Sequence, residues 1–193
     1  MCFHAKQTKS AQEVHQHYST RGPVDSGIYN GFSHPKMTVI TAKEPTTTAL
    51  FYWGLIPAWA KAPSIQKHTL NARLETLHQK PSFRSAKRCL VITDGFYEWQ
   101  WLDPQGRKKQ KHLITFPDDS LFSFAGLCDE WLDRSTGEIM STLSIVTTEA
   151  RGIMRSLHNS KLRMPLTLTP ETEKEWLLGH TPEPFFQFSA TAV

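Results

Sequence analysis

The chain has 193 residues, of which 39% are hydrophobic and 21% charged, with a formal net charge of +4 and a pI near 9.0. Those figures fit one domain over 1–193 with a real core, exclude a disordered chain, and leave no apolar run near the roughly 18 residues that a membrane span needs. The basic balance permits a polyanionic partner without requiring one.

Residues 1–20 are polar and carry three histidines, unlike a secretory signal. Ser10-Ala11-Gln12-Glu13 has the form of a capping box, so a short helix over about 10–18 is expected. Residues 21–47, rich in Gly, Pro, Ser and Thr, read as loop with one strand at 37–41. An aromatic strand over 50–55 runs into Ile56-Pro57, and Leu70, Leu74 and Leu77 keep helical spacing through 71–78. From Arg88 onward the pattern turns to strands, over 88–93, 96–102, 111–116, 121–131 and 139–147, broken by turn residues at 103–106, 117–119 and 133–137. A helix over about 149–157 follows. A second, over 169–178, has Thr169 as cap, Pro170 in the first turn and Gly179 as stop. Residues 185–189 read as a last strand. The sum is an α+β chain, a single domain whose mostly antiparallel sheet curls into a barrel or sandwich with flanking helices.

Cys2, Cys89 and Cys128 have no metal-ligand spacing. An odd count without a secretory signal argues for reduced thiols and a cytoplasmic setting. No cofactor motif or metal cluster is legible, so none is expected, and a monomer is the expected state.

Cys2 carries the sharpest chemical signal. A side chain that small lets a methionine aminopeptidase remove Met1, leaving an α-amine and a thiol on one residue. With reference pKa values of about 8 and about 8.5, a usable fraction of each is reactive near neutrality. The amine condenses with an aldehyde to a Schiff base, and the thiol closes on the same carbon to a thiazolidine. The alternative is an inert cysteine at a frayed terminus.

Four further segments are candidates. In Trp53-Gly54-Leu55-Ile56-Pro57-Ala58-Trp59 a glycine between an aromatic strand and a proline turn allows a sharp bend with rings exposed at a rim, where they would stack on unpaired bases. A core tryptophan pair beside a turn fits equally. In Asn71–Thr76, read as helix, Asn71 and Glu75 share a polar face with Arg73 to one side, either a binding face or simply a solvated one. Glu98 sits in a strand among aromatic residues, where desolvation would raise its pKa towards that of a general acid; the alternative is a solvent-facing glutamate. His158, one of nine histidines, stands just past a helix and before a basic Arg163-Met164-Pro165 strand. Arg84, Lys87, Arg88 and the 107–111 run add positive charge, the last as a solvated hairpin tip.

Six ordered segments together resemble the SRAP family, the SOS response-associated peptidase domain that shields abasic sites in DNA. They are Met1-Cys2, W-G-L-I-P-x-W at 53–59, N-A-R-x-E-T at 71–76, G-F-Y-E-W at 95–99, T-T-E-A at 147–150, and His158 followed by R-M-P at 163–165. The resemblance implies an α+β fold around a curved sheet with a positively charged DNA channel. It implies that Cys2, as the mature N-terminus, attacks the ring-opened aldehyde of an abasic deoxyribose and forms a thiazolidine crosslink. Asn71 would position the deoxyribose or the Cys2 backbone, Glu98 would shuttle protons, and His158 would act as acid and base at the deoxyribose oxygen and in crosslink reversal. Arg73 and Arg163 would hold phosphates, with Arg84, Arg88, Lys161, Met164 and Pro165 completing the DNA-facing set. Trp53 and Pro57 would wedge against bases, favouring single-stranded DNA or a single-strand/double-strand junction over intact duplex. Two departures stand out: Phe3-His4 replaces the usual Gly-Arg, and Asn159-Ser160-Lys161-Leu162 separates the histidine from R-M-P. Two other classes remain, a thiol peptidase using Cys2 with His158 as base, and a non-covalent single-stranded DNA-binding protein.

Overall fold

The computed structural model describes residues 2–193. In chain order it runs β1 His4–Gln7, α1 Ala11–Tyr18, β2 Gly27–Asn30, β3 Lys36–Thr41, β4 Thr48–Trp53, β5 Asn71–Arg73, β6 Lys87–Thr93, β7 Gly95–Trp101, β8 Lys109–Thr115, β9 Phe122–Leu132 and β10 Ile139–Glu149. It ends with α2 Met154–Leu157, β11 Arg163–Pro165, β12 Thr167–Leu168, α3 Pro170–Leu177 and β13 Ser189–Ala192. Five of these strands close on themselves in the order β10-β4-β3-β6-β9 and back to β10, antiparallel at every step but β4–β10. Closure leaves the long strands without open edges. A second, wholly antiparallel sheet runs β13-β8-β7-β1-β2. The architecture is α+β and barrel-like.

Successive residues of a strand point to opposite faces, so one strand feeds two cores. Val39, Val91, Phe124 and Ile145 pack with Phe96, Ile114 and Tyr29 of the second sheet, and Cys2 belongs to this cluster. Their sequence neighbours Ile40, Leu90, Ile92, Ala125 and Val146 pack instead with Val14 of α1 and Trp176 of α3. Burial on both faces explains the nearly unbroken apolar run Cys89-Leu90-Val91-Ile92 in β6. The Ser10–Glu13 capping box forms as expected and starts α1. Among the described residues no helix is long and apolar enough to cross a membrane.

Three expectations are corrected. Residues 71–78 are not a helix: Asn71, Ala72 and Arg73 pair in parallel with Ile145, Val146 and Thr147 of β10, and 74–79 is a 3-10 turn. Leu70 and Leu77, which made the helical stripe, lie in different cores. The helix over 149–157 keeps only its last turn, because Thr147–Glu149 pair with β11 and the chain then bends at Gly152, with φ +53°. The final strand begins at Ser189 rather than ending there, because Phe185 and Phe188 turn in against Phe116 and Phe96.

Candidate active site

Cys2 is drawn inside by the strand that follows it. Ala5 and Lys6 of β1 pair with Phe96 and Gly95, which brings the start of the chain alongside the strand carrying Glu98. Cys2 is fully buried, its thiol lies 3.8 Å from the His4 carbonyl, and Asn71 Nδ2 donates to its carbonyl at 2.8 Å. Because Asn71 belongs to β5, this contact is set by the sheet and not by a mobile loop.

Glu98 and His158 complete the cluster. Both are 6% exposed, and His158 Nδ1 approaches Glu98 Oε2 at 3.5 Å, too long for a good hydrogen bond. His158 Nδ1 also contacts the Arg163 carbonyl, which only accepts; the ring proton is therefore on Nδ1, and Nε2 is the acceptor. Burial lifts the Glu98 carboxyl to about 7 and lowers His158 to about 4. Near neutrality Glu98 divides between acid and carboxylate, while the imidazole stays uncharged. Two adjacent groups held in different proton states are what acid–base chemistry requires. Burial, then the nearby Glu98 charge, pushes the Cys2 thiol far up, so it rests as a thiol. Asn71 Oδ1 and Glu98 Oε2 are buried without hydrogen bonds among the described residues. Such acceptors normally have partners, and a substrate's hydroxyl or amine protons would supply them.

Outside these groups lies a cleft of about 250 Å³ walled by Phe3, Trp99, Trp101 and Lys109, with Glu98 and His158 at its base and Ser160 and Lys161 at its lip. A smaller recess of about 230 Å³ shares Phe3, Glu98, Trp99 and Lys109 and adds His4. His4, in place of the expected arginine, sits edge-on to Trp99 with ring centroids 4.7 Å apart. The residues between His158 and β11 have a clear anchor. β1 covers only Gly95 and Phe96 of β7, and further along that open edge Asn159 caps Trp101, accepting from its amide at 3.0 Å and donating to its carbonyl at 2.9 Å.

Several expected DNA ligands are placed otherwise. Trp53 is fully buried and donates from Nε1 to the Leu70 carbonyl at 2.8 Å, and Pro57 is buried too, so neither is a surface wedge. The exposed ring of that motif is Trp59, at 57%. Gly54 permits the bend at φ +119°, where a Cβ would meet His34 Nδ1 at 2.8 Å. Met164 and Pro165 are buried in β11. Arg88 lies over the Trp176 ring at 4.0 Å and donates to carbonyls of Trp176 and His180, bracing α3. Arg163 is bidentate to Glu75 at 2.8 and 2.9 Å and donates to the Thr147 carbonyl, so its fork is filled by protein. Arg73, Arg84 and Lys161 are exposed, and of these Lys161 lines the cleft. Sequence reasoning missed Phe3, Trp99, Trp101 and Lys109 as walls. The available signal was the period-2 alternation of Trp99 and Trp101 with Lys109 and Lys111 on strands that pair Trp99 with Lys111 and Trp101 with Lys109.

The profile of the family described as SOS response associated peptidase (SRAP) matches residues 1–188. The abasic site processing protein YoqW of Bacillus subtilis is 37% identical over 173 residues, covering 83% of this chain and 75% of its own. The abasic site processing protein HMCES of Xenopus tropicalis is 32% identical over 160 residues, 69% of this chain and 46% of its own. A crystal structure of a protein from Bacteroides thetaiotaomicron superposes with a TM-score of 0.89 at 33% identity, covering all of this chain and 92% of that one. The chain therefore belongs to the SOS response associated peptidase family.

Proposed function

We propose that the protein captures abasic sites in single-stranded DNA by forming a thiazolidine between the deoxyribose aldehyde and Cys2. The observation that supports this most directly is a buried cysteine beside a carboxyl poised near neutral pH, at the base of an aromatic and basic cleft. The reaction needs a free α-amine on Cys2, so Met1 is removed first; Met1 lies outside the described residues. Glu98 in its acid form protonates the ring oxygen as the deoxyribose opens to the aldehyde, and its carboxylate takes the anomeric hydroxyl proton in return, which restores the acid. The Cys2 amine adds to that carbon, and the carbinolamine hydroxyl leaves as water with a proton from Glu98, giving the Schiff base. The thiol then adds to the C=N carbon: a C–S bond forms, the π pair goes to nitrogen, and the thiol proton is carried away through the Glu98 carboxylate. The sum is aldehyde plus aminothiol giving thiazolidine and one water. Asn71 holds the Cys2 carbonyl throughout, and neutral His158 offers Nε2 to the deoxyribose hydroxyl proton.

Intact-protein mass spectrometry of the untagged protein with an abasic-site oligonucleotide tests this. The expected species is protein minus Met1 plus oligonucleotide minus one water, stable to heat without reductant and absent for a protein extended at its N-terminus. An adduct trapped only by borohydride would show a transient Schiff base instead, and no adduct with Met1 removed would refute covalent capture.

A further inference from the structure

We infer that Phe3 and Phe32 form a stacking site for the unpaired base next to the abasic position, a reading that rests on the proposed function. Phe3 follows the nucleophile directly and lines the cleft with Glu98 and Lys109. Phe32 leans on it, with ring centroids 4.8 Å apart and planes inclined by 32°, and remains 59% exposed. The far side of Phe3 packs against the core.

The backbone fixes this pair in advance. The Gly31 amide donates to the Phe3 carbonyl at 2.8 Å, the Phe32 amide to Asn30 Oδ1 at 3.1 Å, and the His34 amide to the Gly31 carbonyl at 3.0 Å. Gly31 itself lies against buried Trp53, where a Cβ would meet the indole at 3.2 Å. The exposed ring is thus carried on a short, braced 3-10 turn, and no ordering cost is left for binding to meet. A large ring held in place on Phe3 yet 59% exposed keeps much of its surface open to a partner. Its surroundings decide the occupant. Lys109 and Lys161 border the cleft, and its one acid, Glu98, is buried. Apolar planes between cations suit an anionic chain bearing flat rings, which is single-stranded nucleic acid, and suit an acidic or purely apolar peptide less well. Stacking at this place would hold the strand while leaving the abasic carbon above Cys2.

A double-mutant cycle between ring and base tests the contact. The probe is a short single strand with a stable tetrahydrofuran at its centre, which binds without reacting. The base on the 5′ side, and separately on the 3′ side, is replaced by a second tetrahydrofuran. For the wild type, removing the base on one of the two sides is expected to weaken binding by about 5- to 150-fold, the range for one stacked base. Phe32→Ala should carry the same loss already, so that base removal then costs it less than about twofold. Phe32→Trp should keep the wild-type pattern. The salt dependence should be unchanged in Phe32→Ala, because no phosphate contact is lost. Thermal melting of each variant checks the fold. Losses that multiply on both sides, a Phe32→Ala that binds like wild type, or a wild type that does not bind the strand would each overturn the stacking site. Covalent capture is judged separately by the adduct with a natural abasic site: coupling without an adduct rejects capture and keeps the stacking site, and an adduct without coupling does the reverse.

Discussion

Glu98→Gln should make the protein more stable and less active, with the stability gain appearing only at high pH. In the unfolded chain the carboxyl titrates near 4.5, and in the fold burial raises it to about 7. The folded state therefore prefers the protonated acid. This favourable contribution is full below pH 4.5, fades as pH rises to about 7, and is lost above it. The gap corresponds to about 3 kcal/mol at pH 8, at roughly 1.4 kcal/mol for each pH unit. Glutamine keeps the shape without the charge, so the variant should exceed wild type at pH 8 by up to about 3 kcal/mol. For a chain of this size that is a Tm increase of roughly 6–12 °C, against a difference under about 1 kcal/mol at pH 5. Adduct formation should meanwhile fall by about 100-fold or more, since the amide neither gives nor takes the protons of ring opening and dehydration. Thermal melts at pH 5 and pH 8, with adduct followed by denaturing electrophoresis, measure both effects. An equal Tm change at the two pH values, or a loss of stability at pH 8, would show that the buried carboxylate is satisfied in the fold and would refute the argument for a proton shuttle.

Other variants address the placements that differ from expectation. Trp53→Phe should cost about 1–3 kcal/mol by removing the hydrogen bond to Leu70 and opening a void, read as a lower Tm, while Trp59→Ala should change stability by less than about 1 kcal/mol and weaken single-strand binding several-fold. Asn159→Ala should cost about 1–2 kcal/mol, read as a lower Tm, and slow adduct formation about tenfold. In the same variant the His158 ring, followed by NMR titration, should move from about 4 towards 6.5 as its loop loosens. In the wild type, the rate of adduct formation should bend near pH 7, where Glu98 titrates, and that bend should vanish in Glu98→Gln.

The strands from β6 to β10 are legible in the sequence because β7–β8 and β9–β10 are local hairpins and β6 is a long apolar run. β1, β2 and β5 are not. They are three or four residues long, and what makes Asn71-Ala72-Arg73 a strand is a partner more than seventy residues further on. A leucine spacing that matched a helix was a coincidence of two cores. In the site, Cys2, Asn71, Glu98 and His158 were all nameable from ordered motifs. Which tryptophan of the 53–59 motif is inside, and that Arg163 is occupied by Glu75 from 88 residues away, depends on long-range packing that no local pattern encodes. The Phe3–Phe32 pair is hidden for the same reason, since register between β1 and β2 creates it.

Because β5, β7 and the α2–β11 segment all contribute to the enclosure of Cys2, the pocket cannot exist until nearly the whole chain has left the ribosome. His158 is translated 156 residues after Cys2, a delay of roughly 8–30 s at ordinary elongation rates. Throughout that interval His158 and β11 are still missing from the cluster that encloses Cys2. Assembly of the sheets then shuts it away. On the proposed mechanism, the order of synthesis thus separates removal of Met1 from assembly of the site that uses the freed amine.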